Sequence, residues 1–208
     1  MGLSSRLRSA CTLVILFLTC STAFAQRTVF VPAETKIEAR VDTPTPPVDL
    51  SKIATFIHEM VNRERQRHRL AVLERDSALD QIGLAHSTDM GTRGYFAHID
   101  LTGRNATQRG HRAEYVCVVD AQYPRPASLG ENLFAGFRYS EYSLTYYPGE
   151  IVADFAWKTE EEFAREVVTG WMESPPHRAN LLHPAYQLHG LGIYLSPSLE
   201  LFVTQNLC

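Results

Sequence analysis

The sequence predicts an α+β domain, with helices packed on an antiparallel sheet. Three observations carry this. Helical periodicity dominates residues 53–90 and returns at 159–171. Runs rich in β-branched and apolar residues gather late, at 190–195 and 201–204, around a Ser196-Pro197-Ser198 turn. Helices first, strands later and a closing hairpin are the element order of an α+β fold.

In the first helix, Ile53, Phe56, Ile57, Met60 and Val61 follow i, i+3, i+4, i+7 spacing and mark one buried face. Its end carries Arg63, Arg65, Arg67, His68 and Arg69. These cations match the negative end of the helix dipole and are expected to be solvated, though a patch for an anionic lipid or polymer is the alternative. The second helix starts after Asp76 or Ser77 and places Leu79, Ile82, His86 and Met90 on one stripe. His86 is therefore expected to be a core histidine with a local hydrogen bond. The third helix begins at Thr159, with Glu162 three residues on, a capping-box pattern. Its stripe is Phe163, Val167, Val168 and Trp171. Strand character appears at Tyr115–Val119 and in the hairpin flanking Pro197. The stretch Tyr139–Trp157 carries Tyr139, Tyr142, Tyr146 and Tyr147 and a Pro148-Gly149 turn, which suggests an inserted hairpin. Its aromatics could either bind a ligand or pack the insertion onto the domain.

The N-terminus reads differently. Arg6 and Arg8 precede an apolar run from Ala10 to Cys20, and Ala23-Phe24-Ala25 follows. That order is a secretory signal peptide over residues 1–25, cleaved near Ala25. A lipoprotein signal ending at Cys20 is the competing reading, disfavoured by Thr19. The run falls short of the roughly 20 apolar residues of a transmembrane helix, and no later run approaches that length. Residues 26–49, with Pro32, Pro44, Pro46 and Pro47, read as an extended tether. One domain is expected over residues 50–208, in a protein secreted to the periplasm or the exterior. The 208-residue chain carries a formal charge of −3, and loss of the two signal arginines takes it to −5. Such acidity excludes a broad, phosphate-driven nucleic-acid binder.

Of four cysteines, Cys11 and Cys20 leave with the signal. Cys117 and Cys208 remain, and two cysteines in an oxidising compartment read as one disulfide. Two separate buried thiols are the alternative.

Several familiar chemistries are missing. His58-Glu59-Met60-Val61-Asn62 has Asn62 where a zinc-protease helix needs a second histidine. There is no Gly-x-Ser-x-Gly elbow and no phosphate-binding loop, and Gly190-Leu191-Gly192 alone is too weak for a dinucleotide site.

Five short runs stand out instead: Gly94-Tyr95-Phe96-Ala97-His98, Gly130-Glu131-Asn132-Leu133, the segment Trp171–Asn180 containing Ser174-Pro175-Pro176-His177-Arg178, Gly190-Leu191-Gly192-Ile193, and Thr204–Cys208. In this order, with Asn62 and Arg65 in the first helix, they resemble the CAP superfamily (cysteine-rich secretory, antigen 5 and pathogenesis-related proteins), in its bacterial SCP-like extracellular branch. The resemblance covers residues 50–208. It implies an α-β-α sandwich with a cleft of two histidines and two acids, the histidines holding zinc or another divalent ion in several members. Carried over by motif, the histidines are His98 and His177 and the first acid is Glu131. At the second acidic position this chain has Ser174, with Glu173 adjacent but about 100° away around a helix. His98 and His177 are the candidate metal ligands. Without metal, His98 would bond Glu131 and His177 would cap the third helix.

His111, His183 and His189 lack such support and are expected to be surface or structural residues. Asn105-Ala106-Thr107 matches a glycosylation sequon, meaningful only in a eukaryotic secretory pathway. The functional expectation is a secreted or envelope protein, more a binder than an enzyme. Its cleft would take a lipid, a cell-wall component or a protein partner. The alternative is a divalent-metal-dependent hydrolase with Glu131 as general base. A third reading is an interaction module displayed by the tether.

Overall fold

The computed structural model describes residues 39–41, 45–119, 125–147 and 150–208. The stretch read as a signal peptide and most of the stretch read as a tether lie outside the described residues. In chain order the elements are β1 (Ala39–Val41), α1 (Leu50–Arg67), β2 (Glu74–Arg75), α2 (Ser77–Arg93), α3 (Ala106–Arg112), β3 (Val118–Val119), β4 (Arg125–Pro126), β5 (Gly130–Phe137), β6 (Tyr139–Tyr147), β7 (Glu150–Trp157), α4 (Glu160–Glu173), α5 (Pro175–Leu181), β8 (Leu188–Leu195) and β9 (Glu200–Leu207).

These elements fall into two units, residues 1–43 with 143–154, and residues 44–142 with 155–208. In the smaller unit β1 runs parallel to β7, with Ala39 opposite Ile151 and Val41 opposite Ala153. This strand falls within the stretch read as tether. Leu144, Tyr146 and Tyr147 along the outer part of β6 are exposed.

The larger unit is built on a four-stranded sheet in the order β2-β8-β9-β5. The predicted terminal hairpin is its centre: β8 and β9 pair antiparallel, with Leu191 opposite Gln205. On the far side β9 pairs antiparallel with β5 over eight residues, from Gly130–Leu207 to Phe137–Glu200. The sheet is not purely antiparallel, because the two-residue β2 adds to β8 in parallel. The strand expected at Tyr115–Val119 shrinks to β3, which among the described residues pairs with β4.

Helices α1 to α4 each start at a residue whose side chain caps them. The Asp49 side chain accepts from Ser51 N and Lys52 N, and that of Asp76 from Ala78 N and Leu79 N. Thr159 and Glu162 form the predicted capping box of α4. Asn105 proves to be the N-cap of α3, reciprocally bonded with Gln108. The left-handed turn that ends α2 is Gly94, at φ 68°.

One face of the sheet carries the main core. There Ile53, Ile57 and Val61 of α1 and Phe163, Val167 and Trp171 of α4 meet Leu191, Ile193, Leu201 and Val203. The indole of Trp171 donates to Leu133 O at 2.9 Å. Helix α2 lies on the sheet with no room to spare. A Cβ on Gly192 would sit 1.8 Å from Leu84 N, and one on Gly190 2.1 Å from the Leu79 carbonyl carbon. The Gly-x-Gly pair thus exists for helix–strand approach, not for a nucleotide. Cys117 and Cys208 form a disulfide with Cα atoms 5.5 Å apart. It joins the end of β9 to a small cluster with Leu79, Ile82 and Leu129.

Arg65 corrects the reading of a solvated basic helix end. Its side chain is fully buried. It donates to four carbonyls: Ala71 at 2.7 Å, Leu181 at 2.7 Å, His183 at 3.1 Å and Tyr186 at 3.0 Å. Beside it Asn62 bonds both backbone groups of Leu73.

A second polar device crosses the same face. Asn180 Nδ2 donates to Asn132 Oδ1 at 2.9 Å, and Asn132 Nδ2 donates to His177 O at 3.2 Å and to Gln205 Oε1 at 3.0 Å. Gln205 Nε2 then meets His189 Nδ1 at 2.9 Å, and His189 Nε2 meets His58 Nδ1 at 2.8 Å. The carbonyl of His177 can only accept, so each amide orientation follows, and the His189 proton sits on Nε2. His189 is a structural residue, as expected. Burial first, then His58, Arg75 and Arg65, hold its pKa down to about 3. Below pH 6.5 the unfolded chain takes up a proton that the folded chain refuses. Stability is therefore full above that pH and falls as the pH drops toward 3, by at most about 1.4 kcal/mol per pH unit from this residue. Urea unfolding at pH 7 and pH 5 should show the decline, and His189→Gln should flatten it. An equally steep decline in that variant would remove His189 as its source.

Candidate functional site

The cleft is assembled from three segments brought together by the sheet. His98 lies in the loop after α2, Glu131 is the second residue of β5, and His177 is the third residue of α5. Register places Glu131 opposite Asn206, so its side chain leaves the sheet on the face opposite to Asn132 and Gln205. His177 is not a cap of α4: Ser174 ends that helix, and Ser174, Pro175 and Pro176 open α5.

His98 Nδ1 donates to Glu131 Oε1 at 2.9 Å. Arg109 Nη2 donates to the other oxygen, Glu131 Oε2. The carboxylate is 4% exposed and the imidazole above it 53%. A buried acid therefore orients an accessible ring. With Nδ1 serving Glu131, Nε2 is the His98 ring nitrogen without a bond among the described residues. The His177 ring stands 6.3 Å from that of His98, centroid to centroid, at 51°. Burial and then His98 lower its pKa from the ordinary histidine value. His177 thus presents a neutral imidazole at neutral pH.

Glu173 is exposed, and neither it nor Ser174 makes a side-chain hydrogen bond or ion pair among the described residues. The geometry therefore joins His98, Glu131 and His177, without bonding Glu173 or Ser174 to them. Arg109 is the residue that the sequence reading missed. It lies 22 positions before Glu131, on a seven-residue helix. The Asn105-x-x-Gln108 cap was the available signal for that helix, but nothing local ties its arginine to the acid. Arg109 is also fixed from behind, donating to His98 O at 3.0 Å and Arg104 O at 2.8 Å. Asn180 completes the frame by donating to Glu131 O at 3.1 Å.

The donor set can be weighed against a metal. Zinc sites ordinarily take three protein ligands or more. Here two imidazoles are available, while both Glu131 oxygens are engaged by His98 and Arg109. Among the described residues no group of three His, Cys, Asp or Glu side chains converges to hold an ion. A divalent ion would have to use His98 Nε2 and His177 alone, or draw Glu131 away from its partners.

The family model for CAP, the cysteine-rich secretory protein family, matches residues 58–207. The chain belongs to this family. It is similar to the uncharacterized protein YkwD of Bacillus subtilis (strain 168), 26% identical over 181 residues, which is 87% of this chain and 58% of that protein. The chain thus spans less than two thirds of that relative's length. Among solved structures it resembles an extracellular SCP-domain protein of Bacillus anthracis str. Ames, with a TM-score of 0.53 and 24% identity over 78% of this chain and 44% of the other. It also resembles an outer surface protein of Borrelia burgdorferi, with a TM-score of 0.55 and 17% identity over 77% of this chain and 95% of the other. These structures share the CAP fold, and the α+β architecture agrees with them. Among the described residues no helix is long and apolar enough to cross a membrane.

Proposed function

We propose that this is a secreted or envelope CAP-domain protein that binds a ligand through the His98–Glu131–His177 cleft without transforming it. One observation carries the reading: Glu131, the acid a hydrolase would need as a free base, has both oxygens engaged by His98 and Arg109. A general base must reach the water it activates. Glu131 instead serves to hold His98 upright, with Nε2 facing outward. The outcome is a pair of imidazoles on a rigid frame, suited to hydrogen-bonding a lipid headgroup, a cell-wall component or a protein partner.

Export is supported by the signal-like residues 1–25 and by the Cys117–Cys208 disulfide, which belongs to oxidising compartments. The printed descriptions of the similar structures, one extracellular and one an outer surface protein, point the same way.

The test is co-sedimentation of the tag-free protein with lipid vesicles and with purified cell-wall polymer, beside the His98→Asn/His177→Asn variant. Wild type should bind one of the two, and the variant should lose about tenfold in affinity with its unfolding midpoint unchanged. Equal binding by both proteins would move the function to another surface. The competing reading, a metal-dependent hydrolase, predicts stoichiometric metal and turnover of peptides or glycans that Glu131→Gln abolishes.

A further inference from the structure

Strand β6 stands last in its sheet, in the order β1-β7-β6, so among the described residues its outer backbone edge has no strand beside it. An open edge offers a row of N–H and C=O groups to any chain that can lie along it. The edge of the main sheet at β5 is treated differently. There Asn180 Nδ2 donates to Glu131 O at 3.1 Å, and the Trp171 indole donates to Leu133 O at 2.9 Å. Among the described residues no side chain of another element bonds β6 in this way. The usual guards against strand addition are missing as well. Residues 139–147 contain no lysine, arginine or proline, and Glu141 is their one charge.

Along β6, Tyr142, Leu144 and Tyr146 occupy alternate positions and so share one face of the strand. They are 55%, 41% and 67% exposed. The Tyr142 ring is backed by Phe155 of β7, with centroids 6.2 Å apart. An apolar stripe thus lies in water beside an open edge.

The stretch itself indicates what covers it. Tyr142-Ser143-Leu144-Thr145-Tyr146 reads the same in both directions once the two hydroxyl residues are equated. A two-fold interface requires such a self-complementary strip. Laid antiparallel on a second copy about Leu144, the strip sets Tyr142 opposite Tyr146, Ser143 opposite Thr145 and Leu144 opposite Leu144. Aromatic faces aromatic and hydroxyl faces hydroxyl, both favourable cross-strand pairs. Glu141 falls opposite Tyr147, so no like charges meet. An axis at Glu141 would instead set two carboxylates against each other.

We propose that β6 is a homodimer interface, in which two copies of the chain pair antiparallel through residues 141–147 about a two-fold axis at Leu144. Strand addition joins the two three-stranded sheets edge to edge. The interface is small. A single strand pair buries less than the roughly 1,200 Å² of a standard complex, so the dimer is weak, with a dissociation constant on the order of 10 μM. It does not depend on the cleft function proposed above, since none of the cleft residues lies in β6.

Sedimentation velocity of the purified protein from about 1 to about 200 μM is the first measurement, and the average mass should climb from monomer toward dimer. Leu144→Lys sets two like charges face to face at the axis and should keep the protein monomeric. Its unfolding midpoint should stay put, because Leu144 is exposed. Single cysteines read the register, since Cys117 and Cys208 are already joined. Leu144→Cys should give a disulfide-linked dimer on mild oxidation, because directly opposed residues of an antiparallel pair have Cα atoms within disulfide range. Tyr142→Cys and Tyr146→Cys should each fail to cross-link alone but should cross-link when mixed. The proposal falls if the wild type stays monomeric to about 200 μM, including the case in which it sediments with lipid vesicles instead. It also falls if Leu144→Lys dimerises as wild type does, or if the three cysteine positions cross-link without preference.

Discussion

Arg65→Met is expected to lower folding stability by about 3–5 kcal/mol, among the largest effects of any single substitution in this chain. The methionine stem replaces much of the apolar packing, so the loss reports the guanidinium itself. Four carbonyls, of Ala71, Leu181, His183 and Tyr186, lose their donor at once. Hydrogen bonds to a charged group are worth about 1.5–3 kcal/mol each, but they share one desolvated charge, so the four do not add in full. Arg65→Lys should recover only part of the loss, because a single ammonium cannot reach carbonyls spread around a planar fork. Urea denaturation of the three proteins measures this. A loss below about 1 kcal/mol for Arg65→Met would mean that water replaces the guanidinium and that the 181–186 loop is held by other contacts.

The second large effect is expected from the disulfide. Cys117→Ser/Cys208→Ser should cost about 2–4 kcal/mol, chiefly because the unfolded chain regains freedom across 91 residues of separation. The denaturant m-value should rise together with the fall in midpoint, since the uncrosslinked unfolded chain exposes more surface. The folded state also anchors Cys208 through its backbone, with Gln187 N and Leu188 N both donating to its carbonyl at 2.8 Å. The variant should therefore retain the β8–β9 pairing, visible as unchanged amide protection in Gly190–Leu195. An unaltered midpoint would mean that the reduced chain already holds these ends together when unfolded.

How much of this was legible in the sequence depends on the range of the interaction. Local signals were read well. Asp76, the Thr159–Glu162 box and the turn at Pro197 mark real boundaries because caps and turns are decided within a few residues. The His98–Glu131 partnership was reachable through the family motifs, since each carries a fixed place in the fold. What escaped depends on three-dimensional closure. Arg65 sits among other basic residues at a helix end, and nothing in its neighbours announces four carbonyl groups from residues 71–186 closing over it. Arg109 looks like one more surface arginine until α3 is laid against the buried end of β5. The parallel β2 is two residues long and leaves no periodicity to detect. His58 reads in the sequence as half of a failed zinc motif, and its true partner, His189, lies 131 positions away.

The hydrogen-bonded line from Asn180 to His58 has a direction. Every link is read from the His177 carbonyl outward, and each side chain passes on the polarity that it receives. A residue in the middle cannot be exchanged for one with the opposite sense unless its neighbour turns over too. Asn132, Gln205, His189 and His58 therefore behave as one heritable word spelled across four separate elements. Drift at one letter is tolerated only when the next changes with it, and across related chains these positions should vary together or not at all.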